Sequence, residues 1–274
     1  MIKMKKDFFP VELEWSKEYE VISNFIRTYL EKANASGVIV GLSGGLDSSV
    51  VATILASALG SSKVLALIMP TYFTPKEDIR DALELASRLG VETMYIEIDD
   101  IVNQYIKKIG FNEVQDKMAV ANLRARVRMT LLYLLANKRN YLVAGTSDKS
   151  EYILGFFTKY GDGAADLFII SHIYKTQLRR FARWLGLPDR IAYKPSSPQL
   201  YPGHKLLDEL PADYDILDPI MYALFDLRIS KDRVVEEFNY PKGLVDFVVD
   251  RYLKNKHKRE RIPSPKEVVL QDPV

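Results

Sequence analysis

The chain has 274 residues, 47% of them hydrophobic and 27% charged, with a formal net charge of +2. That is the composition of an ordinary globular protein long enough to bury a large core, and so small a net charge gives no general case for nucleic-acid binding. The absence of Cys excludes a disulfide framework, thiolate catalysis and Cys-bound zinc. No stretch approaches the ~18 uninterrupted apolar residues of a membrane span, and the basic start from Met1 to Asp7 lacks the apolar core of a signal peptide. A cytoplasmic protein with no membrane or nucleic-acid partner is expected.

From about Glu12 to Ala33, the apolar residues Leu13, Tyr19, Ile22, Phe25, Ile26 and Leu30 recur at helical spacing. Gly37-Val38-Ile39-Val40 reads as a buried strand entering the turn Gly41–Ser48. Ser49 to Leu59 reads as a helix closed by Gly60. Further strands are expected at Lys63–Pro70, Thr93–Ile98 and Asn140–Gly145, and helices at Glu77–Leu89 and from about Ala119 to Ala136. Nearly continuous apolar strands alternating with helices indicate a mainly parallel sheet covered on both faces, a three-layer doubly wound α/β sandwich. Mainly helical material follows residue 170, and no repeat or low-complexity linker divides the chain, so residues 1–274 are expected to form one domain. In such sheets ligands bind beyond the carboxyl ends of the strands. The Gly45 turn, the Met69-Pro70-Thr71 exit and the Gly145-Thr146-Ser147 exit all lie at that edge.

A strand, a Gly-rich turn and a helix N-terminus together make an anion site. The turn Gly41–Ser48 lacks the Lys of G-x-x-x-x-G-K-S/T and does not fit G-x-G-x-x-G. It carries Asp47 instead, and an acid beside bound phosphate makes sense if a cation bridges them. Taken singly, Asp47 and the serines Ser43, Ser48 and Ser49 could be helix caps. Two adjacent Gly with one acid and three hydroxyls favour the anion site. A second cluster runs from Gly145 to Glu151 and on through Phe156 to Asp166, where Gly161 and Gly163 bracket Asp162 and suggest a backbone held close to something. On a helix, Arg124 and Arg128 share a face while Arg126 points elsewhere, so at least one of the three is expected to be a solvent-facing charge or a salt-bridge partner. His172 and His204 have no second ligand at metal-site spacing. By composition alone, Lys256–Arg261 reads as a disordered basic tail.

The turn Gly41–Ser48 resembles the S-G-G-x-D-S loop of the N-type ATP pyrophosphatases, enzymes with the adenine nucleotide alpha hydrolase-like fold that adenylate a substrate oxygen and release pyrophosphate. Four blocks, in order, look like those of the ammonia-dependent NAD synthetases. They are Gly41–Ser48, Asn122–Met129, Gly145–Asp166 with Lys175 following, and His257-Lys258-Arg259, and they span roughly residues 37 to 262. The resemblance implies ATP binding by Gly41, Leu42, Ser43, Gly44, Gly45, Leu46, Asp47, Ser48, Thr146, Lys175 and Ser196. It implies a magnesium ion on Asp47 and Glu151, and deamido-NAD on Arg126, Lys159, Asp162, Asp166, His257 and Lys258. A C-terminal segment of about 250–274 would close over the site. No covalent nucleophile is implied; Asp47 and Lys175 would stabilise charge. Free ammonia is the expected nitrogen donor, because glutamine-dependent relatives carry an additional domain with a catalytic Cys, and a homodimer is implied.

Two other readings compete. A tRNA-modifying adenylating enzyme would normally need Cys and a basic face, and neither is evident. A nucleotide-binding module without catalysis would not need Asp47, Glu151 and Lys175 intact. The resemblance is weakest at three places: Ile68, where relatives often carry Arg; Phe168-Ile169-Ile170-Ser171, where a Pro is usual before the helix bearing Lys175; and residues 196–209, which are unusual before Asp208-Glu209.

Overall fold

The computed structural model describes residues 4–5 and 7–263, so the expected closing segment lies outside the described residues from position 264 on. In chain order, α1 (Trp15–Lys32) leads to β1 (Gly37–Gly41), α2 (Leu46–Leu59), β2 (Val64–Ile68), α3 (Lys76–Leu89) and β3 (Glu92–Tyr95). Then come α4 (Asp99–Ile109), α5 (Lys117–Arg139), β4 (Tyr141–Gly145), α6 (Lys149–Leu154) and the two-residue β5 (Leu167–Phe168). The chain closes with α7 (Lys175–Trp184), α8 (Asp189–Ala192), α9 (Tyr214–Met221), α10 (Lys231–Phe238) and α11 (Lys242–Lys254). Among the described residues no helix is long and apolar enough to cross a membrane.

All strand pairs are parallel, in the order β3-β2-β1-β4-β5. Successive side chains of a strand point to opposite faces, and each central strand obeys this. Val38 and Val40 of β1, with Ala66 and Ile68 of β2, pack on α1, α2, α3 and α7. Ile39, Leu65, Leu67 and Val143 pack on α4 and α5. This is the three-layer sandwich expected from the apolar strands. Helix α2 is buried along an unbroken run from Ser48 to Leu55, as befits a helix apolar on every side and flanked by the sheet, α1 and α7. A third apolar cluster joins α6 to α9, α10 and α11, and forms the helical C-terminal part.

The third strand is shorter than the apolar run 93–98. Ile96 and Ile98 still donate to the carbonyls of Ile68 and Pro70, but Pro70 has no N–H to return, so the regular ladder stops at Tyr95. Helix α4 and strand β5 were not among the expected elements. From β1 the chain winds outward through β2 to β3, then crosses back to place β4 on the other side of β1. The sheet therefore has its switch point between β1 and β4, where a crevice opens at the carboxyl edge.

Candidate active site

At that switch point lies a cavity of about 430 Å³, bounded by the β1–α2 turn, the exits of β2 and β4, the 155–164 loop and residues 194–200. In the turn, Gly44 adopts φ +78° and a Cβ there would lie 2.1 Å from the carbonyl oxygen of Asp78, so only glycine fits. The Ser43 N–H donates to Ser48 Oγ at 3.1 Å, and the Gly45 N–H lies 3.3 Å from Ser43 Oγ. Gly45 is the N-cap of α2 and no side chain caps the helix. Its first N–H groups are thus left for an anion, as the Gly-rich turn suggested. Leu42 and Leu46 are buried in the core, so these two positions offer the cavity backbone rather than side chain.

Asp47 does not cap the helix. Its Oδ1 accepts from Lys175 Nζ at 2.6 Å, and the same ammonium contacts Glu151 Oε1 at 2.9 Å and Asp148 Oδ2 at 3.1 Å. Asp148 is the member of this trio that the sequence reading passed over, although it lies within the quoted Gly145–Glu151 block; its other oxygen caps α6 by accepting from the Glu151 N–H. Burial by itself opposes the charge on Lys175, but Asp148, Asp47 and Glu151 outweigh it and hold the ammonium protonated well above the ordinary lysine range. Three carboxylates share one ammonium, and burial pushes Asp148 up to about 6 and Glu151 upward as well. One oxygen of each carboxylate lies within 4.8 Å of the others, and Asp148 Oδ2 is buried without a well-aligned hydrogen-bond donor. Hard oxygens with excess negative charge fit a magnesium ion shared with phosphate.

Lys175 opens α7, and that start is fixed by a residue far away in sequence. The Lys175 N–H donates to Ser150 Oγ at 2.9 Å, and Ser150 Oγ donates to Asp218 Oδ1 at 2.6 Å. The other oxygen of Asp218 accepts from the N–H and hydroxyl of Thr176 at 2.9 and 2.7 Å. Asp218 is completely buried in α9, which pushes its carboxyl up to about 7. It binds the starts of α6 and α7 together.

The residues proposed for the dinucleotide are arranged more loosely. Arg126, exposed on α5, donates to the Lys159 carbonyl at 3.3–3.4 Å, and Lys159 Nζ reaches the His257 carbonyl at 2.8 Å. Lys258 Nζ donates at 2.7 Å to the carbonyls of Gly155 and Phe157. With a short helical turn over Lys256–Lys258, the basic segment is ordered rather than the tail its composition suggested. Asp162 and Lys258 line the cavity, whereas Arg126, Lys159 and His257 sit beside it on the surface. Asp166 is engaged within the chain, accepting from the Val143 N–H at 2.7 Å and Tyr133 OH at 3.2 Å. Gly161 and Gly163 are held close to the protein itself, since Cβ atoms there would meet Ala125 at 2.9 Å and Phe157 at 2.3 Å. Gly155, at φ +61°, similarly makes room for Asn255, whose Nδ2 donates to the carbonyls of Leu154 and Arg251.

Thr146 and Ser196 line the cavity, and Lys175 stands behind Asp47 and Glu151. The unusual 196–209 segment is fastened: Arg124, buried and paired with Glu113, donates to the Leu200 carbonyl at 3.0 Å, and buried His204 meets Glu209 at 3.0 Å. His172 pairs only with Glu18 among the described residues. Arg128 was not singled out as a site residue. Its Nε donates to the Met69 carbonyl at 3.0 Å, which brings a guanidinium to the β2 exit one residue beyond Ile68, and burial lowers its pKa to about 10. Its helical pairing with Arg124 was the available signal.

A side-chain-free helix N-terminus beside an acid trio, at the switch point of a parallel sheet, is the architecture of α/β nucleotide enzymes. The family model described as NAD synthase matches residues 18–262. The NH(3)-dependent NAD(+) synthetase of Staphylothermus marinus is 42% identical over 265 residues, covering 96% of both chains. Among solved structures, the NH3-dependent NAD synthetase of Campylobacter jejuni is 32% identical, with a TM-score of 0.78 over 93% of this chain and all of that one. The NMN synthetase of Francisella tularensis is 26% identical, with a TM-score of 0.80 over the same shares. The chain belongs to the NAD synthase family.

Proposed function

We propose that the protein is an ATP-dependent ligase that amidates deamido-NAD with free ammonia, giving NAD, AMP and pyrophosphate. The single observation that carries this reading is the Lys175 node, which brings Asp47, Asp148 and Glu151 together at the mouth of the uncapped α2 helix. In this reading the nicotinate carboxylate oxygen attacks the α-phosphorus of ATP, and the bond to pyrophosphate breaks. The ammonia nitrogen then attacks the acyl carbon, a proton is lost, and AMP departs. The turn Gly41–Ser48 holds the departing pyrophosphate with backbone N–H groups, and Lys175 neutralises the acids around it. Thr146 and Ser196 line the ATP side. Asp47 and Glu151, joined by Asp148, would hold magnesium, which when bound neutralises phosphate charge. Arg126, Lys159, Asp162, Asp166, His257 and Lys258 serve the dinucleotide.

The chain would act as one cytoplasmic unit, a reading supported at its C-terminal part by Arg251 and Lys258, which line the cavity. A homodimer is supported by exposed apolar side chains on and beside α4 and α5, including Tyr105, Ile109, Phe111, Val114, Met118 and Leu134. Incubation with ATP, magnesium, deamido-NAD and ammonia is expected to yield AMP, pyrophosphate and NAD in equal amounts. Formation of ADP, ATP cleavage indifferent to deamido-NAD, or turnover only with a mononucleotide acceptor overturns the assignment.

A further inference from the structure

Lys194 lies just after α8 and ends in three hydrogen bonds. Its Nζ donates to the Gly44 carbonyl at 2.8 Å, to Asp78 Oδ1 at 2.6 Å and to Asp81 Oδ2 at 2.7 Å. An ammonium has three donors, so none is left for a ligand. Both acids are buried in the first turns of α3, and the second is held from outside by Arg190 at 2.9 Å. Gln199, on the segment that walls the cavity, donates to the other oxygen of Asp78. Residues 194–199, the start of α3 and the phosphate turn are therefore joined through one cation and one carboxylate.

The consequence follows from the planar trans peptide, in which the carbonyl of one residue and the N–H of the next point in opposite directions. Lys194 holds the Gly44 carbonyl outward, toward α3. The Gly45 N–H is thereby turned inward, toward Ser43 Oγ and the cradle. Gly44 has the backbone freedom of φ +78° and no Cβ, so nothing intrinsic to the residue prevents this peptide from rotating. Rotation would put a carbonyl oxygen where a phosphate oxygen belongs.

We propose that Lys194 is a positioning residue for the phosphate turn, fixing the Gly44–Gly45 peptide with its N–H toward the anion. The proposal rests on the reading of Gly41–Ser48 as the pyrophosphate cradle. The test measures binding of pyrophosphate with magnesium, and separately of deamido-NAD, to the full chain by calorimetry. Wild type is expected to bind both. Lys194→Met should weaken pyrophosphate about tenfold or more, the loss of one charge-oriented donor, with deamido-NAD affinity within about twofold of wild type. Lys194→Arg should recover most of the difference. Should Lys194→Met unfold because Asp78 and Asp81 are left under-neutralised, the double variant Lys194→Met/Asp81→Asn removes one of those charges and should show the same selective loss. Undiminished pyrophosphate binding by a folded variant overturns the clamp alone, and so does an equal loss for both ligands. Failure of wild type to bind pyrophosphate overturns the cradle reading and the clamp with it.

Discussion

The two sides of the cavity are built by opposite rules. On the phosphate side, Lys175, Asp148 and Asp218 are completely buried, and each is held by partners on separate elements. On the side proposed for the acceptor, Arg126 and His257 are exposed and Lys159 is half-buried, and the links between them run through backbone carbonyls. Fixed charges in a water-poor setting stabilise developing charge without reorganising at the moment of reaction. Cations near the surface whose hydrogen bonds go to carbonyls can exchange those bonds for phosphates of an arriving dinucleotide at little cost. The first side is suited to chemistry and the second to capture.

The largest test of this contrast is to break the buried node. Lys175→Met and Asp47→Asn should each abolish NAD formation. Lys175→Met should also destabilise the fold by roughly 3–5 kcal/mol, because it leaves buried carboxylates unbalanced. Magnesium should raise the thermal midpoint of this variant more than that of wild type. Near-normal activity or an unmoved midpoint would show that neither the chemistry nor the fold depends on this buried node.

A smaller effect concerns pH. The Asp218 carboxyl, pushed to about 7 by burial, lies above the ~3.9 of an unfolded chain, so the folded state holds the proton more tightly. Its stabilising contribution is complete below the unfolded value and is lost as pH rises through the folded one. Asp218→Asn cannot titrate. Between pH 4 and 8 the midpoint of wild type should therefore fall relative to this variant by roughly 5 °C. Parallel curves in scanning calorimetry would refute it.

The smallest effect belongs to the acceptor side. Lys159→Ala should raise the KM for deamido-NAD by about tenfold, leaving kcat within about twofold and the thermal midpoint unchanged. A fall in kcat of the same size would place Lys159 in the chemistry and blur the distinction drawn above.

The legibility of the chain divides along the same line of local against distant. The strands β1, β2 and β4, the helices α2 and α3, and the Gly-rich turn were legible because apolar runs, Gly stops and turn residues are neighbours in sequence. Family likeness placed Asp47 and Lys175 at one site but did not imply their ion pair, which joins residues 128 positions apart. Nothing local marks Asp218 as the support of Thr176, or Lys194 as the partner of a carbonyl 150 positions earlier. The two-residue strand β5 is too short for any periodicity, and part of its role falls to the Asp166 side chain, which bonds the Val143 N–H. Asp148 stands in plain view three residues before Glu151, but nothing local separates a helix cap from a member of the acid trio, and it serves as both.

Gly155 carries a consequence of a different kind. Its missing side chain is the space that Asn255 occupies, and Asn255 in turn sets the course of the chain toward Lys258, which returns to hold the Gly155 carbonyl. The two positions form a closed loop of mutual dependence across 100 residues of sequence. Drift at either one is constrained by the other, so among descendants of this protein the pair should be inherited, or replaced, together.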